Sequence, residues 1–593
     1  MATEVSREAV LEAERRGELL MEFDLADRAL AEHPDDQWMK HRAVLALARM
    51  GSTGEAARRF VEFGLSGVED EDVAALEARI AKDQAIAAGG GFAAAGVLYE
   101  AIFRRTGGYY PAVNAATLYL LGLQTERATE LAREAQAALE RSGDDSYYAA
   151  ATEAEIAFVL RDLETAEDAL RRARKLNAQD YSALGTTRRQ LRLLVEFTGD
   201  PEDLLEPLSG PAVLHYCGHR IGGRFPAEDI PHVAGRIAHE LERVSPGFGY
   251  GALANGADIL CAEELLCRGV ELHVILPFAR DEFVHASVAD GGDEWVARFD
   301  ACIEAAKSVT YATDDALRGE DVLFRYGTEL AMGTTLQRAT WLDAPAVQLA
   351  IWDGETVDRT AGTAIDVAAW QATGHSSIIV RPPHAVPPDL EAAPADDPEG
   401  RVVRSLLFAD VRKFSTLTDE QLPRFNSVVM AALGRVLDDY DDAIDYKNTW
   451  GDALYVVMRD AQSAAPCATD LQTAMKSIDL EAHGLPAHLA LRLGAHIGPV
   501  FPTRDAVLGG DAFMGSHVSR TARIEPVTPP GAVYATDAFA AALALARSDF
   551  ACEYVGHMPT AKNYGRFRMF SVRAPVKPED RQMSGPDLAR AVP

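Results

Sequence analysis

Two aspartates 42 residues apart carry the sharpest chemical signal in the chain. Asp410 ends the apolar run RSLLFAD, and Asp452 sits in the turn Trp450-Gly451-Asp452 of the stretch DAIDYKNTWGDALYVVM, which reads as a hairpin. A strand, a helix and then a hairpin bring the first strand beside the hairpin, so both carboxylates can converge on one rim of a sheet. Two bare carboxylates there repel one another unless a cation lies between them. Hard oxygen ligands of this kind suit Mg2+ or Mn2+ held jointly with substrate phosphates. The stretch Val411-Arg412-Lys413-Phe414 reads as a short loop at a helix N-terminus, whose amides could receive a triphosphate. On spacing alone a plainer reading stands beside this one, with Asp410 a cap and Asp452 a turn former.

The elements that must position this pair run from residue 401 to about 575. RSLLFAD is a strand and DEQLPRFNSVVMAALGRVLDDY an amphipathic helix; the hairpin follows, then the helix SAAPCATDLQTAMKSIDL and the strand HLALRLGAHIGPVF. That βαββαβ order predicts a ferredoxin-like α+β plan with both helices on one face of an antiparallel sheet.

Four stretches, FADVRKFSTLTDEQ, NTWGDALYVV, LRLGAHIGPVF and GDAFMGSHVSRTARIEP, occur in this order. Together they resemble the class III nucleotide cyclase domain of adenylate and guanylate cyclases. The resemblance implies conversion of a nucleoside triphosphate to a 3′,5′-cyclic nucleotide plus pyrophosphate, with two Mg2+ or Mn2+ ions. It makes Asp410 and Asp452 the metal carboxylates, with Val411 beside them, and Arg523 the transition-state arginine. The family's asparagine falls at Ser519, four residues before Arg523, and Ser519 keeps one hydrogen-bond donor. The base-reading positions fall at Asn448, with Lys447 one residue earlier, and at Ala512, with Asp511 beside it. Phe414 lies on the nucleotide side, Lys562 or Arg566 would meet the triphosphate, and Arg520 has a structural or interfacial role. Because the aspartates and the arginine lie on opposite sides of the family's interface, a head-to-tail homodimer would form two shared sites. ATP is favoured over GTP, since Asn448 is not the acidic residue expected to read guanine's amino edge. Asn448 both donates and accepts, so a pyrimidine triphosphate stays open, as does a nucleotide-binding scaffold without turnover.

Upstream, from about Pro211, strands alternate with helices: AVLHYCGHR, FPAEDIPHVAGRIAHELERV, ADILCAEELLCRGV, ELHVILPF, SVTYAT, ELAMGTTLQRATWL, AVQLAIW and SSIIV. This predicts an α/β, doubly wound, Rossmann-like domain over 208–382. Gly218-His219-Arg220 and the glycines Gly249, Gly251 and Gly256 before Ala257-Asp258 read as turns where amides approach a phosphate. These stretches resemble the SLOG group, which implies a nucleotide-derived ligand met by Gly218, Arg220, Gly256 and Asp258, with Glu263 and Glu264 orienting a ribose or acting as base. His219 reads equally as a satisfied turn residue, and the glycines as purely structural.

Residues 1–200 are rich in Ala, Glu, Leu and Arg, with apolar spacing of helical period. The blocks starting at Tyr109 and Tyr147 look alike at an offset of 38 residues, and a third begins at His33. They resemble a tetratricopeptide (TPR) array that takes a protein partner; a plain helical bundle is the alternative. A Pro-rich linker spans 383–400 and a polar tail 576–593.

The whole chain has 593 residues and a formal net charge of −32, with 48% hydrophobic and 25% charged residues. Such an acidic globular molecule is not expected to bind nucleic acid or an anionic membrane. The first residues show no secretory signal, no stretch is apolar enough to span a bilayer, and the six cysteines form no CxxC pair. A cytoplasmic location with buried thiols follows as the expectation.

Overall fold

The computed structural model describes residues 5–177, 179–356, 361–386, 400–507, 509–546 and 548–575. Most of the expected linker and all of the expected tail lie outside these residues.

The N-terminal region is built of paired antiparallel helices. Tyr109–Leu121 pairs with Thr125–Ser142, and Tyr147–Leu160 with Leu163–Leu176, so the 38-residue offset is the distance between equivalent helix starts. Gln37–Arg49 and Thr53–Glu62 form the unit expected from His33. Ala at the crossing points lets the helices approach, and Ala112, Ala115, Ala128, Ala132, Ala154 and Ala169 are wholly buried.

The middle region holds a six-stranded sheet formed by β1 (Ala212–Gly218), β2 (Pro246–Gly251), β3 (Glu271–Leu276), β4 (Ser308–Tyr311), β5 (Ala346–Ile351) and β6 (Ser377–Val380). Its order is β4-β3-β2-β1-β5-β6, and every pairing is parallel. Alternation along β1 sends Leu214 and Tyr216 into one core with helices Ile230–Val244 and Ala257–Cys267; Val213 packs on the opposite side with helix Val322–Leu342. Both faces are therefore covered. One expectation is corrected here: Gly249 and Gly251 lie inside β2, not in a turn. A Cβ on Gly251 would stand 2.5 Å from the Tyr216 ring, so glycine lets the neighbouring side chain cross the strand.

The C-terminal sheet comprises β7 (Val402–Arg412), β8 (Ile444–Trp450), β9 (Ala453–Met458), β10 (Ala490–Arg504), β11 (Asp511–Met514), β12 (Val533–Thr536), β13 (Ala551–Pro559) and β14 (Arg566–Arg573). The order is β13-β14-β12-β10-β7-β9-β8, with β11 folded back on β10. Its β10-β7-β9-β8 portion is the arrangement that βαββαβ predicts. Helices Ala431–Asp439 and Ala461–Ser477 cover one face, over Leu407, Ala409, Val411, Leu454, Val456 and Leu491. Strands β11 to β14 extend the sheet beyond that plan.

Helix Val322–Leu342 touches all three regions. Its Gly333 lies against the backbone of Ala541 in helix Asp537–Leu545, and Tyr326 donates a buried hydrogen bond to the Ile497 carbonyl on β10 (3.0 Å). At its far end Arg188, Arg189 and Arg192 of helix Tyr181–Thr198 bind Asp343 and the Trp341 carbonyl, an arrangement suited to the negative end of a helix.

Candidate active site

Asp410 lies on β7 and is paired across the sheet with Ala453 on β9 and Arg492 on β10. Trp450 and Ala453 are opposite one another, so Gly451-Asp452 form a two-residue turn, with Gly451 in the left-handed region at φ 70°. The turn delivers Asp452 beside Asp410, close enough for one carboxyl to act on the other. Burial, and then the charge of Asp410, push Asp452 up to about 6.

The strand pleat sorts the other residues. Asp410, Phe408 and Arg492 share the face turned away from the two helices, where Tyr455 stacks on Phe408 at 4.5 Å and Trp450 lies parallel to Tyr455. Asn448, opposite Tyr455, belongs to that face. Lys447, opposite Val456, belongs to the helix face and forms ion pairs with Asp438 and Asp441. Lys447 is thus directed away from the aspartates, which corrects its placement as a base reader. Val411 is buried in the helix-side core, leaving only its main-chain carbonyl for a cation. The expected phosphate loop is also different: Val411 and Arg412 continue β7, Lys413 is left-handed at φ 70°, and a three-residue turn Phe414–Thr416 follows. Within that turn the amides of Thr416 and Leu417 are taken by the Lys413 and Phe414 carbonyls.

Two charged residues absent from the sequence reading complete the cluster. Arg492 donates to Asp410 Oδ2 at 2.6 Å and lies 2.9 Å from Glu525 Oε1. Glu525 Oε1 is buried and accepts no hydrogen bond among the described residues. Burial lifts Glu525 to about 7, against the pull of Arg492. The signal for Arg492 was present in LRLGAH, where a charge interrupts an apolar strand at alternating register. The Asp410 and Asp452 carboxyls that meet at this turn are hard oxygen donors of the kind a divalent cation takes; among the described residues no group of three or more His, Cys, Asp or Glu side chains is placed to hold one.

Helix Ser516–Ile524 carries Ser519 and Arg523, one turn apart on its outer side, while His517, Thr521 and Ile524 are buried beneath. Gly494 on β10 admits the end of this helix; a Cβ there would meet the Glu525 amide at 2.8 Å. Arg523 has no ion pair or side-chain hydrogen bond with any described residue. Arg520, by contrast, pairs with Asp314 and lies over Phe567, in keeping with a structural role. On β11, Phe513 packs on Tyr446, so Asp511 and Ala512 lie on a hairpin folded back toward β8. Lys562 is exposed on a turn whose Tyr564 donates to the Ser516 carbonyl. Arg566 is held instead by the His557 carbonyl.

In the middle region Gly218 is wedged between Ala257 and Ile351, and Gly256 is left-handed at φ 89° with the Ile221 amide where a Cβ would stand. Asp258 is buried, accepts the Ala254 amide and is lifted to about 7 by burial. Arg220 is engaged by Asp290 and the Ala286 carbonyl. Glu263 and Glu264 are bound by Arg298 and Arg268, which ties both to neighbouring helix surfaces. His219 is satisfied by Asp353, as the turn reading expects. All six cysteines are free thiols, but Cys267 is exposed and Cys552 half-buried, so burial of all six does not hold. Among the described residues no helix is long and apolar enough to cross a membrane.

Two family models match parts of this chain. Residues 400–573 match the family model of the adenylate and guanylate cyclase catalytic domain, and residues 22–119 match that of the Tetratricopeptide Repeats-Sensor family. The aspartate-bearing region is thus similar to cyclase catalytic domains, and the same chain carries a helical region similar to that repeat family. Among solved structures, the guanylate cyclase domain of RhGC from Catenaria anguillulae in complex with GTP is 18% identical, covers 29% of this chain and 97% of its own, and gives a TM-score of 0.26. The adenylyl cyclase CyaB from P. aeruginosa is 17% identical over 30% of this chain and 98% of its own, at 0.26. A dimeric guanylyl cyclase domain from the aquatic fungus Blastocladiella emersonii is 20% identical over 29% and 95%, at 0.23. No curated protein matches.

Proposed function

We propose that this chain is a nucleotide cyclase that converts a nucleoside triphosphate, ATP in preference, to its 3′,5′-cyclic monophosphate and pyrophosphate. The observation that carries the reading is the meeting of Asp410 and Asp452 on the open face of the sheet, with Arg492 and Glu525 against them. Asp410, Asp452 and the Val411 carbonyl would hold divalent cations. When bound, these would make the ribose 3′-hydroxyl more acidic and offset triphosphate charge. Arg492 stands where a phosphate oxygen could exchange for Asp410 as its partner. Arg523, unpaired among the described residues, is available to neutralise charge on the α-phosphate as the 3′-oxygen attacks and pyrophosphate leaves. Ser519 adds one donor on the same helix side.

Exposed Trp450 (57%) and Met514 (57%) at the two hairpins are consistent with a homodimer in which each Asp410 faces the partner's Arg523. Asn448 on the open face would read the base through one donor and one acceptor, with Ala512 and Asp511 opposite. The parallel sheet is consistent with a Rossmann-like module taking a nucleotide-derived ligand near Gly218, Gly256 and Asp258. Arg220 would have to leave Asp290 to join such a ligand. The helical array would take a protein partner. Incubation with each of the four ribonucleoside triphosphates and Mn2+, with products identified by mass spectrometry, tests the reading. Cyclic AMP in excess is expected, and a chain that makes no cyclic product would refute it.

A further inference from the structure

The helix that carries Ser519 and Arg523 is held at its N-terminus by the middle region of the same chain. Gly515, before Ser516–Ile524, offers no capping side chain. The loop that leaves β4 supplies the contacts instead. Ser516 Oγ donates to Asp315 Oδ1 at 2.7 Å, and Arg520 lies 3.3 Å from Asp314. Two acids near a helix N-terminus are favourably placed against its dipole.

Between them runs a buried chain of polar groups. Thr313 Oγ1 is 2.9 Å from His517 Nε2, His517 Nδ1 is 2.7 Å from His496 Nε2, and His496 Nδ1 is 2.7 Å from Thr536 Oγ1. Both imidazoles are fully buried and nearly coplanar, edge to edge, with centroids 5.0 Å apart and an interplanar angle of 6°. Gly498 on β10 leaves the room that the His517 ring fills. Each neutral ring has one donor and one acceptor, so the chain is satisfied only if all its hydrogen bonds run in one sense. Thr313 is the end that belongs to another region, and its Oγ1 also accepts the Asp315 amide at 3.0 Å.

The same loop reaches the strand that bears Asp410. Arg401, just before β7, donates to the Ala316 carbonyl at 3.0 Å and pairs with Glu320. Both sides of the site, the aspartate strand and the arginine helix, are therefore anchored on residues 313–320.

Resting on the cyclase reading, we propose that Thr313 and Asp315 are positioning residues: through His517 and Ser516 they fix the helix that presents Arg523. They touch neither the substrate nor the metal carboxylates, so their loss would act on turnover and leave binding in place. The full-length chain carries the test. Thr313→Val should raise hydrogen–deuterium exchange in the amides of 519–524 severalfold and leave helix Ala461–Ser477 unchanged. It should lower kcat about tenfold, the cost of one buried hydrogen bond. KM and Mn2+ binding, the latter read by electron paramagnetic resonance, should stay within about twofold by the same reasoning. Thr313→Ser should restore both exchange and kcat. Ser516→Ala, which removes the donor from the cyclase side, should reproduce the effect if Thr313→Val fails to fold.

Unchanged exchange in 519–524, or a Thr313→Ser protein as slow as Thr313→Val, would overturn the proposal. A parent chain without cyclase activity would refute the function above, while the exchange measurement would still decide this one.

Discussion

At the scale of single residues, the carboxyl of Asp452 links the site to pH. Its value in the folded protein, about 6, lies above the ordinary 3.8. Its contribution to stability is therefore full below the unfolded value and is lost as pH rises through about 6. The metal-free protein should lose at most about 1 kcal/mol between pH 5 and pH 7, after allowing for partial solvent screening. Asp452→Asn should flatten that slope, and Mn2+ at pH 7 should raise the melting temperature of the parent but not of Asp452→Asn. Thermal scans across pH, with and without Mn2+, check this. The pleat supplies a second residue-scale expectation. Asn448→Ala should change the preference among triphosphates by about tenfold, on the order of one lost hydrogen bond. Lys447→Ala should leave it within about twofold, because Lys447 is held by exposed acids on the other face. Competition assays with paired nucleotides distinguish the two.

At the scale of elements, legibility followed pattern strength. The β8–β9 hairpin and the strand carrying Asp410 were readable because apolar alternation and a Gly-Asp turn are local signals. The repeat offset was readable because Tyr109 and Tyr147 begin equivalent helices. Strand β2 was not, since PGFGYG is the composition of a turn. Its glycines are there because β1 and helix Ala257–Cys267 pack tightly across them. Gly251→Ala should therefore destabilise the protein by about 1–3 kcal/mol through overpacking against Tyr216, measured by chemical denaturation. Arg492 and Glu525 escaped the sequence reading for a different reason. The charge of Arg492 stands out within an apolar strand, yet nothing local ties it to a site, and nothing local marks Glu525 at a helix end; sheet pairing brings Arg492 to Asp410, and the end of helix Ser516–Ile524 brings Glu525 to Arg492.

At the scale of the whole molecule, the three regions are packed together. Arg189 donates to the Trp341 carbonyl on helix Val322–Leu342 and to the Arg49 carbonyl in the first repeats. Glu553 of β13 accepts the amides of Gly54 and Glu55, capping helix Thr53–Glu62 from the cyclase side. Phe23 meets Tyr554 edge to face, and the Tyr554 hydroxyl donates to Asp24 at 2.7 Å. A partner on the helical repeats would thus bear on the cyclase sheet directly. Arg189→Ala should cost about 1–3 kcal/mol by leaving two carbonyls without their donor. It should also speed proteolytic release of the helical array.

Shared assembly of the site is tested most directly by mixing two inactive chains, Asp410→Ala and Arg523→Ala. Random pairing makes half the dimers mixed, each with one intact site, so about a quarter of the parent activity should return. No recovery on mixing, or parental activity in either chain alone, would contradict the account.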